Sequence, residues 1–96
     1  MYGRIGRMKA KPGEREALAA AILSASEAMP GCRSYVVALD TEDPDALWIT
    51  EVWDDEAAHK ASLALPAVRA AIDAAMPLIA EFGPGHATVP LGGTGL

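Results

Sequence analysis

A single cysteine, Cys32, in 96 residues excludes an intrachain disulfide and any multi-cysteine metal site. Its place at the start of an apolar run reads as a small packing residue rather than a reactive thiol. Aromatics are nearly as scarce, with one Phe, two Tyr and two Trp, so the core must be built from Ala, Leu, Ile, Val and Met. Basic residues are outnumbered, eight Lys and Arg against thirteen Asp and Glu, and they form no cluster. The electrostatic footprint of a partner such as nucleic acid or an anionic membrane is therefore missing. No apolar run reaches the roughly 20 residues of a membrane span. The N-terminal residues MYGRIGRMKAKPG lack the apolar centre of a secretory signal, so a cytoplasmic location is expected. The two histidines, His59 and His86, are far apart, and no His-Glu pair stands at metal spacing on a helix. The glycines of 92–95 are terminal rather than set between a strand and a helix, so neither a metal nor a nucleotide cofactor is expected.

What is present is a clear sequence of elements. Met1 to Lys11 alternates loosely and breaks at Pro12-Gly13, a first strand ending in a turn. From Glu14 to Met29 the period changes: Leu18, Ile22, Ala25 and Met29 recur at helical spacing, with Glu14 and Glu16 in the first turn. Pro30-Gly31 stops this helix, and Cys32 to Leu39 forms a second strand. The polar turn Asp40 to Asp45 joins it, as a hairpin, to a third strand. On that strand Leu47, Ile49, Glu51 and Trp53 share one face, and Trp48, Thr50 and Val52 share the other. Asp54 and Asp55 supply a helix N-cap and first-turn negative charge, and a short helix runs from about Asp55 to Leu63. Pro66 opens a further helix with an apolar stripe of Val68, Ile72, Met76 and Ile79, while Arg69 and Asp73 can pair across one turn. Pro77 kinks or restarts its end. His86 to Leu91 completes the pattern as a short strand.

The order is β-α-β-β-α-β, a ferredoxin-like α+β arrangement with a four-stranded antiparallel sheet and its helices on one face. Residues 1–91 make one domain and 92–96 a Gly-rich tail. The other sheet face carries large apolar groups and no element is left to cover it, which predicts a homodimer packed sheet to sheet.

Certain pieces stand in a particular order: Lys11-Pro12-Gly13 before the first helix, Met29-Pro30-Gly31-Cys32 leading to Ser34-Tyr35, Asp43-Pro44 in the hairpin, and Ile49-Thr50-Glu51-Val52-Trp53 running into an acidic helix start. Over nearly the whole chain they resemble the antibiotic biosynthesis monooxygenase group, which includes quinol monooxygenases. The resemblance implies a dimeric α+β barrel with a ligand pocket in each protomer between sheet and helices. It also implies oxidation of a small aromatic, phenolic or quinol-type substrate by O2 without flavin, metal or haem. The chain departs from many relatives, which place histidines where Ser62 and Ala67 stand here; it has His59 instead, six residues after Trp53. Haem-degrading relatives use an Asn, a Trp and a His at positions occupied here by Gly6, Ser62 and Ile72, so haem chemistry is not expected.

Against that background five residues are candidates. His59 suits proton abstraction from a phenol near neutral pH, or donation to a substrate oxygen. Trp53, on the same strand face as Glu51, is expected to shape the pocket as a catalytic partner. Glu51 can orient His59 or accept a substrate proton, or else pair with Arg4 or Arg7. Tyr35 can hydrogen-bond a quinone-type oxygen, and Arg69 can stabilise a developing phenolate. The bland alternatives are core packing for Trp53 and Tyr35, a helix-surface place for His59, and a solvent pair with Asp73 for Arg69. The fold also admits a non-oxidative isomerase of a small carbonyl compound, or a dimer that binds a ligand without converting it.

Overall fold

A computed structural model describes residues 1–96. The elements are β1 (Tyr2–Ala10), α1 (Arg15–Leu23), β2 (Cys32–Leu39), β3 (Ala46–Trp53), α2 (Glu56–Ser62), α3 (Pro66–Ala75), a 3-10 turn (Met76–Leu78) and β4 (Ile79–Thr88). The strands form one antiparallel sheet in the order β2-β3-β1-β4, the ferredoxin-like topology that the element order predicts. No single helix is long and apolar enough to cross a membrane.

The helices lie on one face of the sheet, held there by a core of Ala10, Leu18, Leu47, Ile49 and Ala75. Trp53, Leu18 and Leu47 are the largest side chains wholly withdrawn from solvent. Full burial of a leucine contributes about 2 kcal/mol, so Leu18 anchors α1 and Leu47 anchors β3 beneath it. The opposite face has no cover: Ile5, Val36 and Trp48 remain exposed there, Trp48 at 36%.

Three elements differ from the sequence pattern; one is α3, which ends at Ala75, so that Ile79, expected on its apolar stripe, opens β4 instead. The first helix stops at Leu23 rather than Met29. The hydroxyls of Ser24 and Ser26 donate back to the carbonyls of Ala21 (2.6 Å) and Leu23 (2.8 Å), and the Ser26 amide takes a tight bond to the Leu23 carbonyl. Local side-chain bonds thus replace the helical ladder. The last strand begins at Ile79, seven residues before His86, and ends at Thr88. Gly83-Pro84-Gly85 hid its first half. Proline is tolerated because β4 lies at the sheet edge and its pairing to β1 shifts register between Gly6 and Met8. Gly83 is required there, since a Cβ would stand 2.8 Å from the Arg7 carbonyl oxygen.

The β2–β3 hairpin is fixed by charge. Asp40 accepts from the amides of Glu42 and Asp43 through one oxygen and from the Trp48 indole N–H, at 2.8 Å, through the other. Arg7 approaches both Asp40 and Asp43, and Lys9 pairs with Asp43. From α1, one nitrogen of Arg15 donates to the carbonyls of Asp40 (3.0 Å), Asp43 (2.9 Å) and Ala46 (3.2 Å), locking helix to hairpin.

Replacing Arg15 by Met should lower unfolding free energy by about 2 kcal/mol in urea titration, because the stem survives and only the charged donor is lost. The amides of Asp43 and Glu42 and the Trp48 indole hold the Asp40 carboxyl down at about 2, with Asp43's amide the largest influence. A depressed carboxylate contributes stability above its unfolded pKa and loses it as pH falls through the folded one. Asp40→Asn should therefore flatten the fall in melting temperature between about pH 4 and pH 2 relative to the parent.

Candidate functional site

Between the helices and the sheet lies a cavity of about 300 Å³ lined by thirteen hydrophobic residues. Its existence follows from side-chain size. Ala25, Ala71 and Ala75 face inward from α3 and from the turn after α1, and the predicted stripe of Val68, Ile72, Met76 and Ile79 forms a wall rather than filling the space. Met8, Tyr35 and Ile49 make the floor, with Phe82 from β4 at one side. A second chamber of about 380 Å³ shares Met8, Ile49 and Phe82 with the first, but its lining includes the charged Arg4 and Glu51; Ile5 and Arg7, whose side chains belong to the other sheet face, line it as well. The glycines at 6, 83 and 85 leave it open, and nothing lies within 4 Å of a Cβ built on Gly6.

The polar end is assembled by register. Tyr2 stands opposite Trp53 and Arg4 opposite Glu51 across β1–β3, while Tyr35 stands opposite Glu51 across β2–β3. Directly opposed residues share a face, so all five side chains emerge on the helix side. Trp53, 1% exposed, donates its indole N–H to Glu51 Oε1 at 2.9 Å. His59 Nε2 lies 3.9 Å from the same oxygen, each side chain 16% exposed. The imidazole is wedged between Tyr2 and Trp53, with ring centroids 5.6 and 5.5 Å away. It is delivered there by the Asp55 cap: Asp55 accepts from the Ala58 amide at 2.7 Å, starting α2 so that His59 faces β3 one turn later.

Tyr35 is the polar side chain in the lining of the apolar chamber. Burial, then the nearby Glu51 charge, pushes its phenol well above the ordinary value, so at neutral pH it presents a neutral O–H. Arg4 donates to the Tyr2 hydroxyl at 2.9 Å, which raises its guanidinium further above the usual range against the lowering effect of burial. Cys32 is half-buried and its thiol is raised by that burial, which fits packing rather than reactivity.

Of the residues picked from sequence, Glu51, Tyr35, Trp53 and His59 come together, but not in equivalent places. Glu51 and Tyr35 line chambers, whereas His59 and Trp53 line neither and stand behind Glu51. Arg69 is not brought to the site. It lies off the inward stripe of α3, exposed, and makes no ion pair with Asp73. Glu51 makes no ion pair with Arg4 or Arg7; Arg7 pairs with Asp40 and Asp43 instead. Tyr2 is not among the sequence candidates and Arg4 stands there only as a possible ion-pair partner of Glu51; the β1–β3 register is what brings both to the site. No three His, Cys, Asp or Glu side chains are grouped so as to hold a metal ion.

Residues 1–74 match the family described as antibiotic biosynthesis monooxygenase. A Chloroflexus aurantiacus structure named for the same family is 58% identical, with a TM-score of 0.94 over 96% of this chain and 94% of that one. A Deinococcus radiodurans structure, likewise named, is 29% identical, covers 97% of this chain and 95% of its own, and gives 0.79. One from Nitrosomonas europaea, at 20% identity, 95% and 99% coverage and a TM-score of 0.84, shares the fold. No curated protein matches the chain.

If the apolar chamber is a binding site, filling it should abolish binding without unfolding the protein. Ala71→Phe places a ring into the cavity from α3, and should weaken binding of a naphthalene-based fluorescent probe at least about tenfold while leaving the melting temperature unchanged or higher. An unaltered affinity in that variant would place the probe elsewhere.

Proposed function

The chain belongs to the antibiotic biosynthesis monooxygenase family, and from that premise we propose that it oxidises a quinol or polycyclic phenol with O2, as a homodimer and with no cofactor. One observation carries the reading: an apolar chamber sized for a fused-ring body shares Met8, Ile49 and Phe82 with a neighbouring chamber whose lining includes Glu51. An ionised carboxylate only accepts, so a phenol seated with its ring against Ile49 and Met8 has a proton acceptor at the chamber's polar end. His59 and Trp53 are positioning residues in this reading, because both converge on Glu51 Oε1 and leave its other oxygen free for the substrate. Tyr35 donates its neutral hydroxyl to a second substrate oxygen.

The chemistry asks little more of the protein. Once the phenolic proton passes to Glu51, the phenolate gives one electron to O2, and the two radicals join in a C–O bond at a ring carbon bearing hydrogen. The peroxide anion takes the proton back from Glu51; loss of the ring hydrogen with cleavage of the O–O bond then releases water and leaves a carbonyl, so one oxygen atom enters the product and the other leaves as water. The apolar walls exclude solvent while the reactive species persist. The exposed face with Ile5, Val36 and Trp48 is the surface on which a second copy would pack, sheet to sheet.

Oxygen-electrode assays across a panel of hydroxyarenes and quinols test this. Oxygen should be consumed one-for-one with product, and Glu51→Gln should lower kcat by about 100-fold or more in a protein that still melts cooperatively. His59→Ala should cost less, since it removes a support and not the acceptor. Equal turnover under nitrogen would indicate a non-oxidative enzyme, and a ligand-induced rise in melting temperature with no conversion would indicate a binding protein.

A further inference from the structure

Every half-buried cation of this protein but one is neutralised or engaged by backbone. Arg7 and Lys9 pair with Asp43, and Arg15 holds three carbonyls. Arg4 is the exception: it has no carboxylate at ion-pair distance although Glu51 is its cross-strand partner, and the Tyr2 hydroxyl is its sole hydrogen-bond partner. It is also a wall residue of the polar chamber. Nη2 lies beside Gly85: a Cβ there would stand in ordinary contact with that nitrogen, 3.8 Å away, and a larger side chain would reach into its space. A guanidinium carries five donors, and Tyr2 engages one nitrogen, Nη1. The free edge faces the chamber next to a carboxylate that can only accept.

We propose that Arg4 is a catalytic residue that takes up the negative charge formed on the substrate oxygen, with Tyr2 as the positioning residue that aims it. This rests on the phenol-binding reading given above. The bound phenol donates its hydrogen bond to Glu51. As the O–H bond breaks and the proton joins the carboxylate, the electron pair left on the phenolic oxygen is held by the Nη2 edge of Arg4. No oxidant is involved in this step, and net charge in the chamber is unchanged: Glu51 becomes neutral as the ligand becomes an anion. An arginine in a partly dry wall is suited to the role, because its planar fork stays charged and meets an oxyanion with charge-assisted hydrogen bonds. The groups acting on it are Tyr2 from its own strand, Glu51 from β3 and Glu56 from α2, and His59 of α2 stands behind Tyr2 and Glu51. Tyr35 on β2 faces Glu51, and β4 places Ala87 opposite Arg4 with no titratable group there. Arg69, the guanidinium expected in this role, is on the outside of α3.

The test is the ionisation of bound naphthol, whose acid and anion absorb differently, titrated under nitrogen with the intact protein. In the parent the midpoint should fall about one pH unit or more below that of free naphthol. Arg4→Gln should remove the fall and Arg4→Lys should keep part of it. Gly85→Val leaves the charge in place but crowds Nη2; it should weaken naphtholate binding about tenfold, and it carries the test if Arg4→Gln does not fold. A midpoint that is unshifted in the parent, a shift that survives Arg4→Gln, or absence of naphthol binding would each overturn the assignment. Because no oxygen is present, the two readings fail separately. Oxygen uptake with an unshifted midpoint removes Arg4 alone, and a shifted midpoint without oxygen uptake removes the oxygenase reading alone.

Discussion

The hydrogen bond from the Trp53 indole to Glu51, at 2.9 Å, is the contact on which the polar end of the molecule depends. A carboxylate on the covered face of a sheet is costly unless its charge is met by donors or opposite charge. Here the indole donates to Oε1, His59 stands 3.9 Å away, and the Arg4 cation lies across the strand pair. The same contact explains why Trp53 is almost wholly buried while the other tryptophan is not. Its ring fills the end of the core, its N–H needs an acceptor, and Glu51 two residues earlier on the same face is within reach. Removing the carboxylate would strand the indole, and removing the indole would leave the carboxylate under-satisfied. The pair is therefore a structural unit as well as a chemical one.

From that unit the helix-side face grades from charged to apolar. Going along β3 from Trp53 toward Ala46, the covered positions read Trp53, Glu51, Ile49 and Leu47. Going along β1 in register they read Tyr2, Arg4, Gly6 and Met8. Small residues do the rest: alanines on the helix side hold the apolar chamber open, and the glycines of the β1–β4 irregularity open the polar one. The outer face is organised differently. Its charges, Arg7, Lys9, Asp40 and Asp43, are paired and serve the hairpin, with the Arg7 guanidinium 6.0 Å from the Trp48 ring.

How far this was legible in the sequence depends on the range of the interaction. Period-two and helical spacing are local, so β2 and β3 and the split of Trp48 from Trp53 onto opposite faces could be read directly, as could the Asp55 cap. So could the α+β order and the gathering of Glu51, His59 and Trp53, because they lie within nine residues on one strand-to-helix connection. The end of α1 is not legible locally, because serines that back-bond to carbonyls leave an apolar stripe intact. The first half of β4 is not legible either, because a Gly-Pro-Gly run is a loop signal that only a bulged sheet edge overrides. Nothing local says that β1 pairs with β3 in the register Arg4 to Glu51, so Tyr2 goes unmarked in the sequence and Arg4 stands there only as one of two possible ion-pair partners of Glu51. Arg69 was attractive as a cation on an amphipathic helix, but the face it occupies is decided by which of the neighbouring alanines pack inward.

The functional reading joins these levels: a hydrocarbon chamber for the body of a fused-ring phenol, and at its end a carboxylate held by two aromatic side chains beside an unpaired guanidinium. A crystal structure with a bound hydroxyarene tests that join most directly. The ring should lie against Ile49 and Met8, with its oxygen within hydrogen-bonding distance of both Glu51 and Arg4. A ring seated on the outer face, or an oxygen turned away from Glu51 toward the apolar end, would contradict it.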